Sequence, residues 1–355
     1  MWNIINESVI EFRSNDFKYM NNIACFDIDN TIIKTKSKKT FPIDRNDWTW
    51  LYDNTTTKIQ ELYKNNYCII FISNQYILKT DNQLTEWQSK LSKMIEILNI
   101  PILIYASKQK DKYRKPLPFI WRELIVPNIK KIDYKKSFYC GDAMGRPDDH
   151  SDCDIKFASN CNLPFILPEE LFLNHPKINK QIEYVEFPKD ILDDGLFNKF
   201  NDTKTKTMII MVGYPASGKS YISTLLEKYN FIRINQDTLK TKKKCIDFVK
   251  NCLINNMNCV IDNTNPTKEK RKEYIDLAQK YDYNIYCINM TTSFELSQHN
   301  NIYRSLTLNT DPIPSIVYNK FKKDFENPSV NEGFCEIINT TCGKIMSDDY
   351  NLFMM

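Results

Sequence analysis

Ile23-Ala24-Cys25-Phe26-Asp27-Ile28-Asp29-Asn30-Thr31 decides the fold of the first half of this chain. Four apolar residues in an unbroken run, bounded by polar ones, read as a short strand buried on both faces. Comparable runs recur at 67–72, 102–106 and 137–140, and amphipathic, helix-like stretches such as 82–98 separate them. Strands alternating with helices predict a parallel sheet in an α/β domain. Ligands of such sheets bind outside the C-terminal ends of the strands. Asp27 and Asp29 follow a strand end directly, so they are the first candidates for chemistry.

The pattern loosens after 164–173, and 183–207 mixes acids, lysines and polar residues without periodicity. A second alternating series follows, with strands expected at 208–212, 231–235, 259–262 and 283–290. A chain of 355 residues with 42% apolar content exceeds one hydrophobic core. Two α/β domains are therefore expected, 1–195 and 196–355.

Composition excludes several classes. The net charge of +4 is weakly basic and does not by itself demand a polyanionic partner. Eleven cysteines include no CxxC pair, and the three histidines are far apart, which argues for free thiols and against structural zinc. The N-terminus lacks the basic start and apolar stretch of a signal peptide, and no run of 18 apolar residues occurs. A soluble, intracellular protein with no membrane partner, and a monomer, is expected.

Glycine is used at only seven positions, yet Gly141, Gly145, Gly213 and Gly218 fall in two short segments. Glycine is kept where backbone takes unusual angles or lies against a ligand. The second segment, Gly213-Tyr-Pro-Ala-Ser-Gly218-Lys219-Ser220, is a complete G-x-x-x-x-G-K-[ST] phosphate loop between an expected strand and an expected helix. Backbone N–H groups and the helix N-terminus would cradle the phosphates of ATP, Lys219 would neutralise them, and Ser220 would ligate Mg²⁺.

Asp27 and Asp29 have companions. The run 69–72 ends in Ser73-Asn74-Gln75, Tyr113-Arg114-Lys115-Pro116 supplies a cation, and the run 137–140 ends in Gly141-Asp142, with further acids at Asp148, Asp149, Asp152 and Asp154. In this order they resemble the four motifs of the haloacid-dehalogenase phosphatase superfamily. That resemblance implies a Rossmannoid (HAD-like) domain in which Asp27 is the nucleophile forming an aspartyl-phosphate and Asp29 is the general acid and base. It further implies that Ser73, Asn74 and Lys115 hold phosphoryl oxygens, and that Asp27, the Asp29 carbonyl and Asp142 hold Mg²⁺.

A phosphatase of this kind followed by a phosphate-loop domain resembles the polynucleotide kinase 3′-phosphatases in their animal-type order. FDIDNTII, YRKPLPFIW, GDAMGRP, GYPASGKS, VIDNTNP and ENPSVNEGF carry the likeness across nearly all of 24–335. It implies an enzyme of nucleic-acid end repair, acting on DNA ends or on RNA ends. Its P-loop kinase would use Asp237 as the base for the 5′-hydroxyl and Arg304 on the transferring phosphoryl group. Asp262, Asn263 and Thr264 are expected beside the phosphate loop. Relatives usually carry arginine where this chain has Gln236, and further arginines near Gln298 and Ile302. A 3′-phosphatase with a weak or non-catalytic ATP- and DNA-binding second domain therefore stays open, as does a fused pair of metabolite enzymes. Only 26 residues precede Asp27, so the family's phosphopeptide-binding N-terminal domain, and recruitment by a phosphorylated scaffold, are not expected.

Overall fold

The computed structural model describes residues 1–182, 185–187, 199–200, 206–341 and 347–355. The chain divides into two compact units, Met1–Tyr184 with Leu352–Met355, and Val185–Asn351. The expected boundary at 195/196 lies outside the described residues. The last four residues, expected with the second domain, pack with the first unit. Leu352, Phe353 and Met354 are buried there, and the Phe353 main chain exchanges two hydrogen bonds of 2.9 Å with the Asn160 amide.

The first unit contains strands β1 (Trp2–Ile5), β2 (Val9–Arg13), β3 (Asn22–Phe26), β4 (Ile33–Lys34), β5 (Thr49–Trp50), β6 (Tyr67–Asn74), β7 (Ile102–Ser107), β8 (Phe138–Cys140) and β9 (Phe165–Ile166). Seven of them form one sheet in the order β1-β2-β7-β6-β3-β8-β9, and β4 pairs with β5. Neighbours from β7 to β9 are parallel, as the alternation of strands and helices predicts. The β1–β2 hairpin is an antiparallel addition along β7 that the apolar runs do not reveal.

Successive residues of a strand point to opposite faces. Ala24 and Phe26 join Ile69, Phe71 and Ile104 on one face, whereas Ile23 and Cys25 join Ile70, Ile72 and Leu103 on the other. Helices α1 (Thr55–Lys64) and α2 (Asp81–Leu98) cover the first face, and α3 (Cys153–Asn160) with the turn Ile120–Ile125 covers the second. A short α4 (Pro168–Leu173) follows β9.

The second unit is a five-stranded parallel sheet of β10 (Thr207–Val212), β11 (Ile232–Ile234), β12 (Cys259–Ile261), β13 (Asn284–Met290) and β14 (Glu336–Thr340), in the order β11-β12-β10-β13-β14. Its helices are α5 (Lys219–Glu227), α6 (Gln236–Leu239), α7 (Lys242–Ile254), α8 (Lys268–Gln279), α9 (Phe294–Leu308) and α10 (Ser315–Asp324). Met208, Ile210 and Val212 pack on one side and Ile209 and Met211 on the other, which explains why this strand reads as a continuous apolar run.

Candidate active sites

Register brings the first constellation together. Phe26 of β3 lies level with Phe71 of β6 and with Cys140 of β8. The residues just beyond, Asp27, Ser73 and Asp142, therefore emerge side by side at the C-terminal sheet edge, although up to 115 positions separate them in sequence. Asp27 and Ser73 border a cleft of ≈ 1260 Å³ whose lining includes Asp29, Lys90 and Arg114, and the Asp142 carboxylate lies within 4.8 Å of that of Asp27.

Lys115 is the hub of the cleft floor. Its Nζ donates to Asp27 Oδ1 at 2.7 Å, Tyr139 Oη at 2.6 Å and Asp154 Oδ1 at 2.8 Å, so each of its three hydrogens has an acceptor. All three partners are buried. Burial opposes the Lys115 charge, but the Asp154 and Asp27 carboxylates outweigh it and raise the pKa. Asn74 spends its amide on the Lys115 main chain, accepting from the N–H and donating to the carbonyl at 3.0 Å each. That clamp fixes the turn carrying Lys115, a use different from the phosphate contact expected of Asn74.

Asp154, one acid among several in the sequence, is the one the fold buries. Its Oδ2 also accepts the Ala143 N–H at 3.1 Å. Gly141 makes room for it, since a Cβ at 141 would stand 2.5 Å from Asp154 Oδ2.

Asp27, Asp142 and Asp154 each present a carboxylate oxygen within 4.8 Å of the others. Burial, and then the carboxylates of Asp154, Asp142 and Asp29, push Asp27 up to about 8 against the pull of Lys115. Burial and Asp154 raise Asp142 to about 6. Three carboxylates facing one ammonium leave a surplus of two negative charges, which a divalent cation on oxygen ligands would neutralise. The donor set fits Mg²⁺ at Asp27 and Asp142, because the Asp154 oxygens are already taken.

Asp29 lies on the wall, its side chain about half exposed. Gln75 Nε2 donates to Asp29 Oδ2 at 2.6 Å and to Ser73 Oγ at 3.0 Å, and Lys90 Nζ reaches Asp29 Oδ1 at 3.4 Å. Thr31 donates to Asp142 at 3.3 Å. Lys90 and Tyr139 were not legible as site residues, since a lysine in a helix reads as solvated and a tyrosine in a strand as core. The one available signal is spacing, because Lys90 falls on the apolar stripe of Trp87, Leu91, Met94 and Leu98.

In the second unit the phosphate loop runs from the end of β10 to α5, with Gly218 at φ 98°, a left-handed conformation that favours glycine. Lys219 Nζ donates to the loop's own Gly213 carbonyl at 3.0 Å and to that of Tyr214. Ser220 is exposed at the first turn of α5. Next to the loop, Asp262 follows β12 and is buried, its Oδ2 held by Arg233 at 2.6 Å while Oδ1 has no hydrogen-bond partner. A buried carboxylate oxygen left open beside a phosphate loop is the donor expected for a hydrated Mg²⁺. Arg233, which sequence reading passed over, fixes that carboxylate.

Asn235 caps α6 through the Asp237 N–H at 2.7 Å, which leaves the Asp237 side chain exposed. Asn300 of α9 donates to the Ala216 carbonyl of the loop at 3.1 Å. Arg304, one turn later on the same face, contacts Asn301 at 3.4 Å. The structure thus gathers Asp27, Asp29, Ser73 and Lys115 around one cleft, with Asp142 beside Asp27, and places Asp237 and Arg304 on separate helices of the other unit.

Fold and sites together define an enzyme that handles phosphoryl groups at two centres, one built on carboxylates and one on a phosphate loop. Residues 22–172 match the family model "Polynucleotide kinase 3 phosphatase", and residues 241–328 match "AAA domain". The chain is 37% identical to the bifunctional polynucleotide phosphatase/kinase of Schizosaccharomyces pombe over 98% of its own length and 86% of the relative's. It is 33% identical to the "Putative bifunctional polynucleotide phosphatase/kinase" of Acanthamoeba polyphaga mimivirus, over 92% of this chain and 86% of that one. The polynucleotide 3′-phosphatase of Saccharomyces cerevisiae is 27% identical over 42% of this chain and 87% of its own length. The chain belongs to the bifunctional polynucleotide phosphatase/kinase family. Among the described residues no helix is long and apolar enough to cross a membrane.

Proposed function

We propose that the N-terminal half removes 3′-phosphates from DNA ends and that the C-terminal half transfers the γ-phosphate of ATP to 5′-hydroxyl ends, leaving termini a ligase can join. The observation that carries the reading is Asp27 itself. It is the first residue past a central strand, held by Lys115, at the floor of a cleft large enough for a strand end.

In the first step a carboxylate oxygen of Asp27 attacks phosphorus, the P–O3′ bond breaks, and O3′ takes a proton from Asp29. A water oxygen then attacks the aspartyl-phosphate, gives its proton back to Asp29, and phosphate leaves as the bond to Asp27 breaks. Ser73 orients the phosphoryl oxygens. Lys115, its donors already filled, holds Asp27 in line and offsets its charge. In the second unit Asp237 takes the proton of the 5′-hydroxyl as its oxygen attacks the γ-phosphorus, and ADP departs. Lys219 and the loop between Gly213 and Gly218 bind the ATP phosphates, and Arg304 balances charge on the transferring group. Mg²⁺, held by Asp27, Asp142 and the Asp29 carbonyl in one unit and by Ser220 in the other, would lower the repulsion between anionic reactants.

Matched DNA and RNA strands bearing 3′-phosphate or 5′-hydroxyl ends, incubated with Mg²⁺ and ATP, test this directly. Asp27→Ala is expected to lower 3′-dephosphorylation by about 10³-fold or more and to leave 5′-phosphorylation unchanged, with the reverse for Lys219→Ala. Failure of both conversions by folded wild-type protein sinks the reading. ATP binding without transfer to a 5′-hydroxyl sinks the kinase half alone.

A further inference from the structure

Lys90 is a buried cation in an otherwise apolar stripe. It sits on α2 with Trp87, Leu91 and Met94 as its neighbours on that face, and its side chain is 6% exposed. Burying an ammonium is costly unless it is paired. Among the described residues its one carboxylate partner is Asp29, and that carboxylate is turned to the cleft. On the other side of Asp29 stands Gln75, also buried. The Gln75 main-chain N–H is anchored to the Ser107 carbonyl at 2.7 Å, and its side-chain amide spans Asp29 and Ser73. Each oxygen of Asp29 thus has its own donor, Lys90 for Oδ1 and Gln75 for Oδ2. The two donors come from separate elements, α2 and the turn after β6.

We propose that Lys90 and Gln75 are positioning residues for the 3′-phosphatase reaction, clamping Asp29 so that its proton is delivered to the departing 3′-oxygen. The inference rests on the role given to Asp29 above. A carboxylate on a short side chain has two rotatable bonds, and its proton must arrive along the line of the breaking P–O3′ bond. A donor on each oxygen removes that freedom. The clamp also links the acid to Ser73, so the group that protonates the leaving oxygen and the group that orients the phosphoryl oxygens move as one.

The leaving group separates this role from others. A nucleoside 3′-oxygen leaves as a strongly basic alkoxide and needs the proton, whereas p-nitrophenolate leaves without one. Mispositioned acid therefore slows the first substrate selectively, while a distorted fold or a lost phosphate contact slows both alike. The measurement is kcat/KM, which reports events up to departure of the leaving group, for a 3′-phosphorylated oligonucleotide and for p-nitrophenyl phosphate. It is made on the full chain with Mg²⁺, for wild type, Asp29→Asn, Gln75→Leu, Lys90→Met and Lys90→Arg. Turnover of p-nitrophenyl phosphate also reports that each variant is folded.

Asp29→Asn is expected to lose on the order of 10²-fold or more on the oligonucleotide relative to p-nitrophenyl phosphate. Gln75→Leu and Lys90→Met are expected to show the same selectivity at roughly tenfold, with Lys90→Arg recovering part of it. Selective loss in Asp29→Asn with equal losses, or none, in the Gln75 and Lys90 variants overturns the clamp and leaves the proposed reaction standing. Absence of selectivity in Asp29→Asn overturns the assignment of Asp29 as the acid, and the clamp with it.

Discussion

Asp27, Lys115 and Asp154 show how much of this site is decided by single atoms. Lys115 bridges two carboxylates from one buried point, and Asp154 reaches it only because residue 141 carries no Cβ. The sequence presents Asp148, Asp149, Asp152 and Asp154 as equivalent acids, and only burial distinguishes the last. In the other unit His299 is similarly concealed. Its Nε2 lies 2.9 Å from the Tyr350 carbonyl, and burial lowers its pKa below the usual 6.5, against the effect of that hydrogen bond. The unfolded chain therefore binds this proton more readily than the folded one. The stability tied to neutral His299 is complete above pH 6.5 and is lost as pH falls through the depressed folded value. Thermal melts of wild type and His299→Gln at pH 7.5 and 5.5 are expected to show a smaller acid-induced drop in the variant. Equal drops would mean that His299 takes no part in the acid response.

The helix α2 shows why element signals carried the fold further than the site. Its apolar positions recur at helical spacing, and its N-terminus is fixed by a capping box in which Thr80 accepts the Gln83 N–H at 3.3 Å and Gln83 reaches back to Thr80. Both features can be read from the chain. Lys90, on the same apolar stripe, cannot be given a role from periodicity, since its partner Asp29 arrives from the turn after β3. Thr80→Ala removes the cap at a position outside the clamp. It is expected to cost about 0.5–2 kcal/mol in urea unfolding with little change in either activity. A loss of phosphatase turnover out of proportion to stability would indicate that the first turn of α2 also governs where Lys90 lies. The hairpin β1–β2 makes the complementary point. Val9 to Arg13 are five residues with only partial alternation, and pairing with β7 is what makes them a strand.

At the scale of the whole chain, the last four residues return to the first unit. Leu352, Phe353 and Met354 are buried there, Phe353 is bonded through its main chain to Asn160, and Lys156 donates to the Met355 main-chain oxygen at 2.8 Å. Deleting 352–355 uncovers that apolar surface and leaves the Asn160 side-chain oxygen without the Phe353 N–H, while its Nδ2 keeps the Pro116 carbonyl at 2.8 Å. The phosphatase is expected to lose on the order of 3–5 kcal/mol of stability, read as earlier heat inactivation of 3′-dephosphorylation than of 5′-phosphorylation. Inactivation of both activities together would mean that the tail does not stabilise the first unit selectively. The sequence by itself determined the parallel cores of the two α/β sheets, because runs buried on both faces are apolar at every position and need no partner to be recognised. It also singled out the phosphate loop and, as candidates, Asp27, Asp29, Ser73, Lys115 and Asp142, whose motifs are local. Only the tertiary structure decided that Lys115 is saturated by Asp27, Tyr139 and Asp154, that Asn74 serves the Lys115 backbone, that Arg233 holds Asp262, and that Lys90 meets Asp29. Each of these depends on strand register and on which side chains are removed from water, and neither quantity is a property of any single stretch of chain.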